Sequence, residues 1–439
     1  MPHAKFNYRS LDELKEDVVR LGVELPLLAQ LDILTTPFQL NGEVIRNRLA
    51  IHPMEGCDGT TEGAPNKLTF RRYKRFGASG AGLLWVEACA VNNEGRANCR
   101  QLYLNQNNLP VFKRLLHTNI KPYTILQLTH SGRYSKPYTD ASAILATIEN
   151  PYLDPASNPL RRFITDEELE QLEDQYVEAA LLAKEAGFDA VDIKACHRYL
   201  ISELLSAHTR KGRYGGSFDN RVRFLLNIIE KLKARTEIDV VVRLNAYDAI
   251  PYPYGWGTDE NGRPALDDPQ RLMQLLWKKG VRLVNITTGN PYYNPHVSRP
   301  ADTGPYLAPE HPVESATRML NIIKEMKSAV PGMTIVGTGF SWFREYGANI
   351  AAGCIERGWM DMAGFGRQAF AYPDFACDII NNGAMARNKC CITCTKCTEL
   401  MRFGGQAGCV VRDSKVYLPL WREATNGRTM MSAMIKNHI

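Results

Sequence analysis

The run Thr165-Asp-Glu-Glu-Leu-Glu-Gln-Leu-Glu-Asp-Gln-Tyr-Val-Glu-Ala-Ala-Leu-Leu-Ala-Lys-Glu-Ala-Gly187-Phe-Asp-Ala-Val-Asp-Ile-Lys194 holds one complete passage from helix to strand. Thr165 and Glu168 form a capping box, in which each side chain takes up a backbone N–H that the first helical turn leaves unpaired. From Leu169 to Ala186 the apolar residues keep a helical stripe, and Gly187 stops it. Ala190–Lys194 then reads as a short buried strand that ends on a charge.

The same rhythm recurs along the chain. Eight candidate strands are legible: Arg48–His52, Gly82–Glu87, Tyr123–Leu128, Ala190–Lys194, Val240–Asn245, Leu283–Thr288, Thr334–Thr338 and Met360–Gly364. Further helices are predicted over Asp219–Arg235, Gln270–Lys279 and Pro312–Val330. Eight strand-helix units predict an α/β fold, a closed (β/α)8 TIM barrel whose active site lies where the strands end. An open doubly wound sheet is the alternative, disfavoured because no G-x-G-x-x-G follows the first strand. Leu11–Leu21 reads as one amphipathic helix stopped by Gly22, a lid over the barrel floor or a packing element. The expected organisation is an N-terminal helical extension (1–30), the barrel (31–385), and a cysteine-rich metal-cluster segment with the tail (386–439). The connections Thr129–Phe163 and Ala246–Asp268 are too long for simple linkers and are expected to shape access to the barrel mouth. The second carries Tyr252, Tyr254 and Trp256.

Composition excludes several classes of function. The 439 residues carry a formal net charge of +6 with no long basic block, which does not indicate nucleic acid. The N-terminus has no apolar signal region, and no run reaches the roughly 18 apolar residues a membrane span needs. A cytoplasmic protein is expected, and its eleven cysteines read as thiols and metal ligands, not disulfides.

Five of those cysteines cluster. Cys391, Cys394, Cys397 and Cys409 follow a C-x2-C-x2-C-x11-C spacing, with Cys390 to spare. Thiolates three apart in a turn converge on one centre and a fourth closes the shell, which suits either Zn(II) or a [4Fe-4S] cluster. At the predicted rim stand Glu55, Glu87, Gln127, His130, Lys194, His197, Tyr199, Arg243, Asn245, Thr287, Asn290, Tyr292 and Tyr293. The last two strands end in Val336-Gly337-Thr338-Gly339 and Gly364-Phe365-Gly366-Arg367, where glycines admit an anion to the backbone, as in the phosphate site barrels build after these strands.

Together these features resemble the Old Yellow Enzyme family, in particular its 2,4-dienoyl-CoA reductase and trimethylamine dehydrogenase-like branch. The most specific stretch is Ala190-Val-Asp-Ile-Lys-Ala-Cys-His-Arg-Tyr-Leu200, followed by Tyr214-Gly-Gly-Ser-Phe-Asp-Asn-Arg221. Family members there typically read V-E-I-H-x-A-H-G-Y-L and Y-G-G-S-x-x-N-R. His52-Pro53-Met54, Gln127-Leu-Thr-His-Ser-Gly-Arg133 and Gly366-Arg367 support the match.

The resemblance implies FMN. Pro53, Met54 and Ala88 would flank its ring, Gln127 would bond the pyrimidine edge, and Arg243 would stand by N1 and O2. Gly366 and Arg367 would hold the phosphate, joined by Gly337 and Gly339 from their place at the end of the seventh strand. It further implies an NAD(P)H:flavin oxidoreductase acting as an ene-reductase on a small-molecule enone, enoate or dienoyl substrate. Flavin N5 would deliver hydride, Tyr199 would give the proton, and Lys194 and His197 would polarise the activating carbonyl. Lys194 departs from the usual His and Glu55 from the usual Cys or Thr. The resemblance favours [4Fe-4S] over zinc.

Larger relatives continue into a nucleotide-binding half. With about thirty residues after Cys409, electrons are expected from NAD(P)H over the FMN or from a separate electron-transfer partner. An amine or alicyclic dehydrogenase and a non-catalytic flavin carrier or zinc-stabilised barrel are the alternatives, and homo-oligomerisation is left open.

Overall fold

Leu83–Ala90 is buried at every position, as a strand covered on both faces must be. In the computed structural model, which describes residues 3–117, 122–138, 144–154 and 161–426, it is the second of eight parallel strands in a closed barrel. In order they are Leu49–Ile51, Leu83–Ala90, Tyr123–Thr129, Ala190–Ile193, Asp239–Asn245, Leu283–Thr287, Thr334–Gly337 and Met362–Phe365. The eighth pairs with the first through Ala363 and Leu49, so the doubly wound alternative fails. All eight strands lie where the sequence predicts them. The second runs on to Ala90 because a register shift between Val86 and Cys89 lets it keep pairing with the third.

The helices also follow the sequence. Asp166–Ala186 has its Thr165/Glu168 capping box, and Gly187 closes it at φ 102°. Asp267–Lys278 begins three residues earlier than expected, because Asp267 and Asp268 suit the positive end of a helix and Pro269 suits its first turn.

A hairpin was not foreseen. Phe38–Leu40 and Glu43–Ile45 pair antiparallel around Asn41 and Gly42, both at positive φ, as a two-residue hairpin turn demands. Leu40 and Ile45 pack with the inward residues Ala50, Leu83, Trp85, Ile125, Val241 and Met362, so the hairpin corks the barrel's amino end. The N-terminal helix Leu11–Arg20 lies to the side instead, with Asp17 Oδ2 3.8 Å from His311 Nε2.

The cysteine-rich segment has a small core of its own, Leu400, Val410, Tyr417 and Trp421. Arg71 and Arg75 hold it to the barrel through Asp413, at 2.6 and 2.7 Å, and Ala407 N–H donates to Gly56 O at 2.6 Å.

Candidate functional site

A cavity of about 1190 Å3, its opening included, lies at the carboxyl end of the strands. It is lined by Pro53, Met54, Glu55, Ala88, Gln127, Lys194, His197, Tyr199, Arg243, Tyr292, Gly339, Gly366 and Arg367, all of which the sequence named. Gly337 does not line it. A side chain there would come within 2.0 Å of Met360 Sδ, so that glycine makes room for the wall. Glu87 also points away from the cavity. It lies buried with Arg72, which bonds Asp58 as well at 2.5 and 3.0 Å, and Glu87 Oε2 accepts Gly56 N–H at 2.7 Å. His130 lies behind the site, where its carbonyl accepts Leu200 N–H.

The turn that presents His197 and Tyr199 is strained. His197 and Arg198 both take left-handed backbone, φ 62° and 59°, and Arg198 occupies the position where the family pattern reads Gly. Such a conformation costs a side-chain residue roughly 1 kcal/mol or more. The fully buried Arg198 guanidinium offsets it by bonding Asp248 at 2.9 Å and Ser206.

Within the cavity the Lys194 ammonium sits 3.7 Å from the centre of the Tyr199 ring. Among the described residues no acceptor takes its hydrogens and no carboxylate lies within 4 Å. Burial lowers its pKa and Arg243 adds to this, while Cys196, Glu55 and Asp192 oppose it. Burial, then Arg243 and Lys194, hold His197 well below the usual histidine range, so it is neutral. Burial and the Glu55 charge push Tyr199 well above the usual phenol range, so it keeps its proton. Its hydroxyl is 3.0 Å from that of Tyr292, whose ring stacks on Tyr134 at 3.9 Å.

Under this floor Asp192 is raised to about 6, by burial first and against its hydrogen bonds to Gln127 and the Arg243 backbone. The native state therefore binds its proton more tightly than the unfolded chain does. The resulting stability is fully present below about pH 4 and lost as pH rises through 6. Relative to Asp192→Asn, the apoprotein is expected to lose about 2–3 kcal/mol between those limits in urea titrations, at about 1.4 kcal/mol per pH unit. A pH-independent difference would refute the assignment.

Cys391, Cys394, Cys397 and Cys409 line a second cavity of about 360 Å3, its opening included, and Cys390 does not. Thr393 and Thr395, between them, take left-handed backbone at φ 47° and 59°. Arg367, Phe370 and Cys397 line both cavities. Among the described residues no three or more His, Cys, Asp or Glu side chains converge to chelate a single metal ion.

Residues the sequence analysis did not single out complete the first cavity. Arg299, Arg402, Thr398, Ser298 and Ser341 line it, and Arg299 Nη1 donates to Thr398 Oγ1 at 2.5 Å. No local pattern marks them, because the loop after the sixth strand and the cysteine segment meet only in the fold.

Five cations, Lys194, Arg243, Arg299, Arg367 and Arg402, thus face the cavity against the single carboxylate Glu55. Buried nitrogens of Arg243, Arg299 and Arg367 have no partner among the described residues. This is a (β/α)8 barrel with a site for an anionic cofactor at its mouth. The profile of the NADH:flavin oxidoreductase / NADH oxidase family matches residues 33–260, more than half of the chain, and the chain belongs to that family.

An NADPH dehydrogenase from Bacillus pumilus is 33% identical over 265 residues, 58% of this chain and 73% of the relative. An NADH:flavin oxidoreductase from Gibberella zeae is 29% identical over 277 residues, 58% of this chain and 66% of the relative. Among solved structures, 2-naphthoyl-CoA reductase in complex with 2-naphthoyl-CoA superposes with a TM-score of 0.70 at 20% identity, over 89% of this chain and 58% of that one. Morphinone reductase superposes at 0.62 and 21% identity, over 81% and 92%. The chain therefore spans under two thirds of the first of these structures and about two thirds of the Gibberella relative.

The residues present fit FMN. Arg367 and Arg299 offer unpaired donors to a phosphate, Gly339 turns the backbone at φ 114°, and a side chain on Gly366 would meet Met54 Sδ at 2.9 Å.

Proposed function

We propose that this chain is an FMN-dependent oxidoreductase that reduces an activated C=C bond of enone, enoate or dienoyl type, with NAD(P)H as reductant. What carries the reading is the convergence of Lys194, His197 and Tyr199 in the cavity that also holds Gln127 and Arg243. FMN, when bound, supplies a two-electron carrier loaded by NAD(P)H and discharged to the alkene.

The chain's own groups do the rest. Lys194 and the neutral His197 donate to the activating carbonyl oxygen, where negative charge builds, from positions fixed before reaction. Tyr199, protonated at neutral pH, gives its phenolic proton to the α-carbon, and Tyr292 is placed to replace it. Gln127, Arg243, Arg299 and Arg367 bind and orient the cofactor. The reverse reading, oxidation of an amine, is disfavoured because the Lys194 ammonium faces the place a cationic substrate would take.

The cysteine cavity is read as a [4Fe-4S] site. Its four cysteines are the C-x2-C-x2-C-x11-C set, which line one cavity together, and the family resemblance favours the cluster over zinc. If a separate redox partner took the place of NAD(P)H, a cluster held here would supply one-electron relay, and Cys397 and Arg367 form the wall shared with the first cavity. Cys391→Ser is expected to remove most of about four iron and four sulfide per chain, while Cys390→Ser keeps them; equal loss in both would refute the ligand set.

An anaerobic absorption spectrum with iron and sulfide counts tests both cofactors. NAD(P)H should bleach the flavin band, and an enone should restore it. A colourless preparation, or restoration by no activated alkene, would end the proposal.

A further inference from the structure

One carboxyl lies under both residues assigned above to the flavin's pyrimidine edge. Asp192, in the middle of the fourth strand, is wholly buried and pairs in register with Gln127 of the third. Its Oδ2 accepts from Gln127 Nε2 at 2.7 Å and from Trp85 Nε1 at 3.2 Å. Its Oδ1 accepts the Arg243 backbone N–H at 2.6 Å.

All three partners are donors, and two have no alternative role. An indole nitrogen only donates, as does a backbone N–H. An ionised carboxylate only accepts, so Gln127 must turn its nitrogen down to Asp192, leaving Oε1 to face the cavity. The pyrimidine edge of a flavin presents one N–H, at N3, between two carbonyl oxygens. An upward amide oxygen accepts from that N–H; an upward amide nitrogen would oppose it with a second donor.

We infer that Asp192 is a positioning residue that fixes the Gln127 amide with its oxygen toward the cavity, and so makes the site select a ring carrying N–H at that point. The inference rests on the FMN reading and on Gln127 meeting the pyrimidine edge. Nothing in the catalytic group touches Asp192 directly, so its effect falls on cofactor recognition.

The consequence of Asp192→Asn is set by the Arg243 backbone. That N–H lies at 2.6 Å, against 3.2 Å for the Trp85 indole, so the introduced amide keeps its oxygen on Arg243, turns its NH2 toward Gln127 and leaves the Trp85 N–H unpaired. Gln127 then flips to accept from it and presents its own NH2 to the cavity.

The test uses the full-length chain stripped of flavin and titrated with FMN or with N3-methyl-FMN, binding being read from quenching of flavin fluorescence. Wild type is expected to prefer FMN by at least about tenfold, one hydrogen bond's worth. Asp192→Asn should bind FMN about 10- to 100-fold more weakly and lose that preference. Trp85→Phe, which leaves the carboxylate in place, should keep it. Asp192→Asn combined with Gln127→Glu reverses the polarity of the pair, again leaving an oxygen upward, and should restore the preference even where the single variant folds poorly.

Undiminished preference in Asp192→Asn, its loss in Trp85→Phe, or failure of the paired substitution to restore it would overturn the inference. A wild-type chain that binds both flavins equally overturns the Gln127 assignment and the inference with it. A chain that binds no flavin overturns the reading beneath them.

Discussion

Tyr199→Phe is expected to slow alkene reduction by about 10²- to 10⁴-fold, the range a positioned general acid contributes. The substitution removes one hydroxyl and little else. The ring that the Lys194 ammonium covers at 3.7 Å remains, and so does its stack with Tyr292. Reduction of the flavin by NAD(P)H needs no proton from this side chain and should stay within a few fold. The check is anaerobic stopped-flow, with each half-reaction followed separately at the flavin band. Tyr292→Phe should cost less, about tenfold, because it leaves the donor and removes only its hydroxyl neighbour. Full alkene reduction by Tyr199→Phe would remove the proton donor from the mechanism.

Arg72→Met is expected to destabilise the fold by about 3–5 kcal/mol, since it leaves two carboxylates buried without their cation. Arg72 is 3% exposed in its side chain, with Asp58 and Glu87 at 0% and 1%. Burial already raises Glu87 to about 7 even with Arg72 beside it. Removing the cation raises the native Glu87 pKa further. Stability that depends on its protonation is present below the unfolded value and lost as pH rises, so the deficit should widen from pH 5 to 8. Urea titrations at both pH values measure it. Asp58→Asn and Glu87→Gln added to Arg72→Met should recover part of the loss. A deficit under about 1 kcal/mol at both pH values would show that the three charges are not coupled.

Much of this was legible in the sequence, for reasons that differ by region. The strands are apolar runs that a two-sided sheet requires, bounded by helices with complete capping signals such as Thr165 and Glu168. Lys194, His197 and Tyr199 come from one contiguous turn, and Gln127 and Arg243 from strand ends, so counting strands places them on one rim. The Old Yellow Enzyme resemblance is borne out at the level of the family.

Other features depend on contacts that no local pattern encodes. Arg299 and Arg402 reach the cavity only because the sixth-strand loop meets the cysteine segment there. Gly337 and Gly339 look alike in sequence, yet one makes room for Met360 and the other bends the backbone at the cavity. Glu87 ends an apolar run as a rim residue would, but the register shift after Val86 turns it toward Arg72. Two local signals were there to be read: the Asn41-Gly42 turn and the Asn66/Thr69 capping box that opens the helix Lys67–Gly77.

That small hairpin has a bearing on traffic. With Leu40 and Ile45 seated among the inward side chains, the barrel is stoppered from below, and the chamber opens at the carboxyl end of the strands. Under the function proposed above, a nicotinamide ring and an alkene that shared one face of the cofactor would enter by turns, each departing before the other arrives.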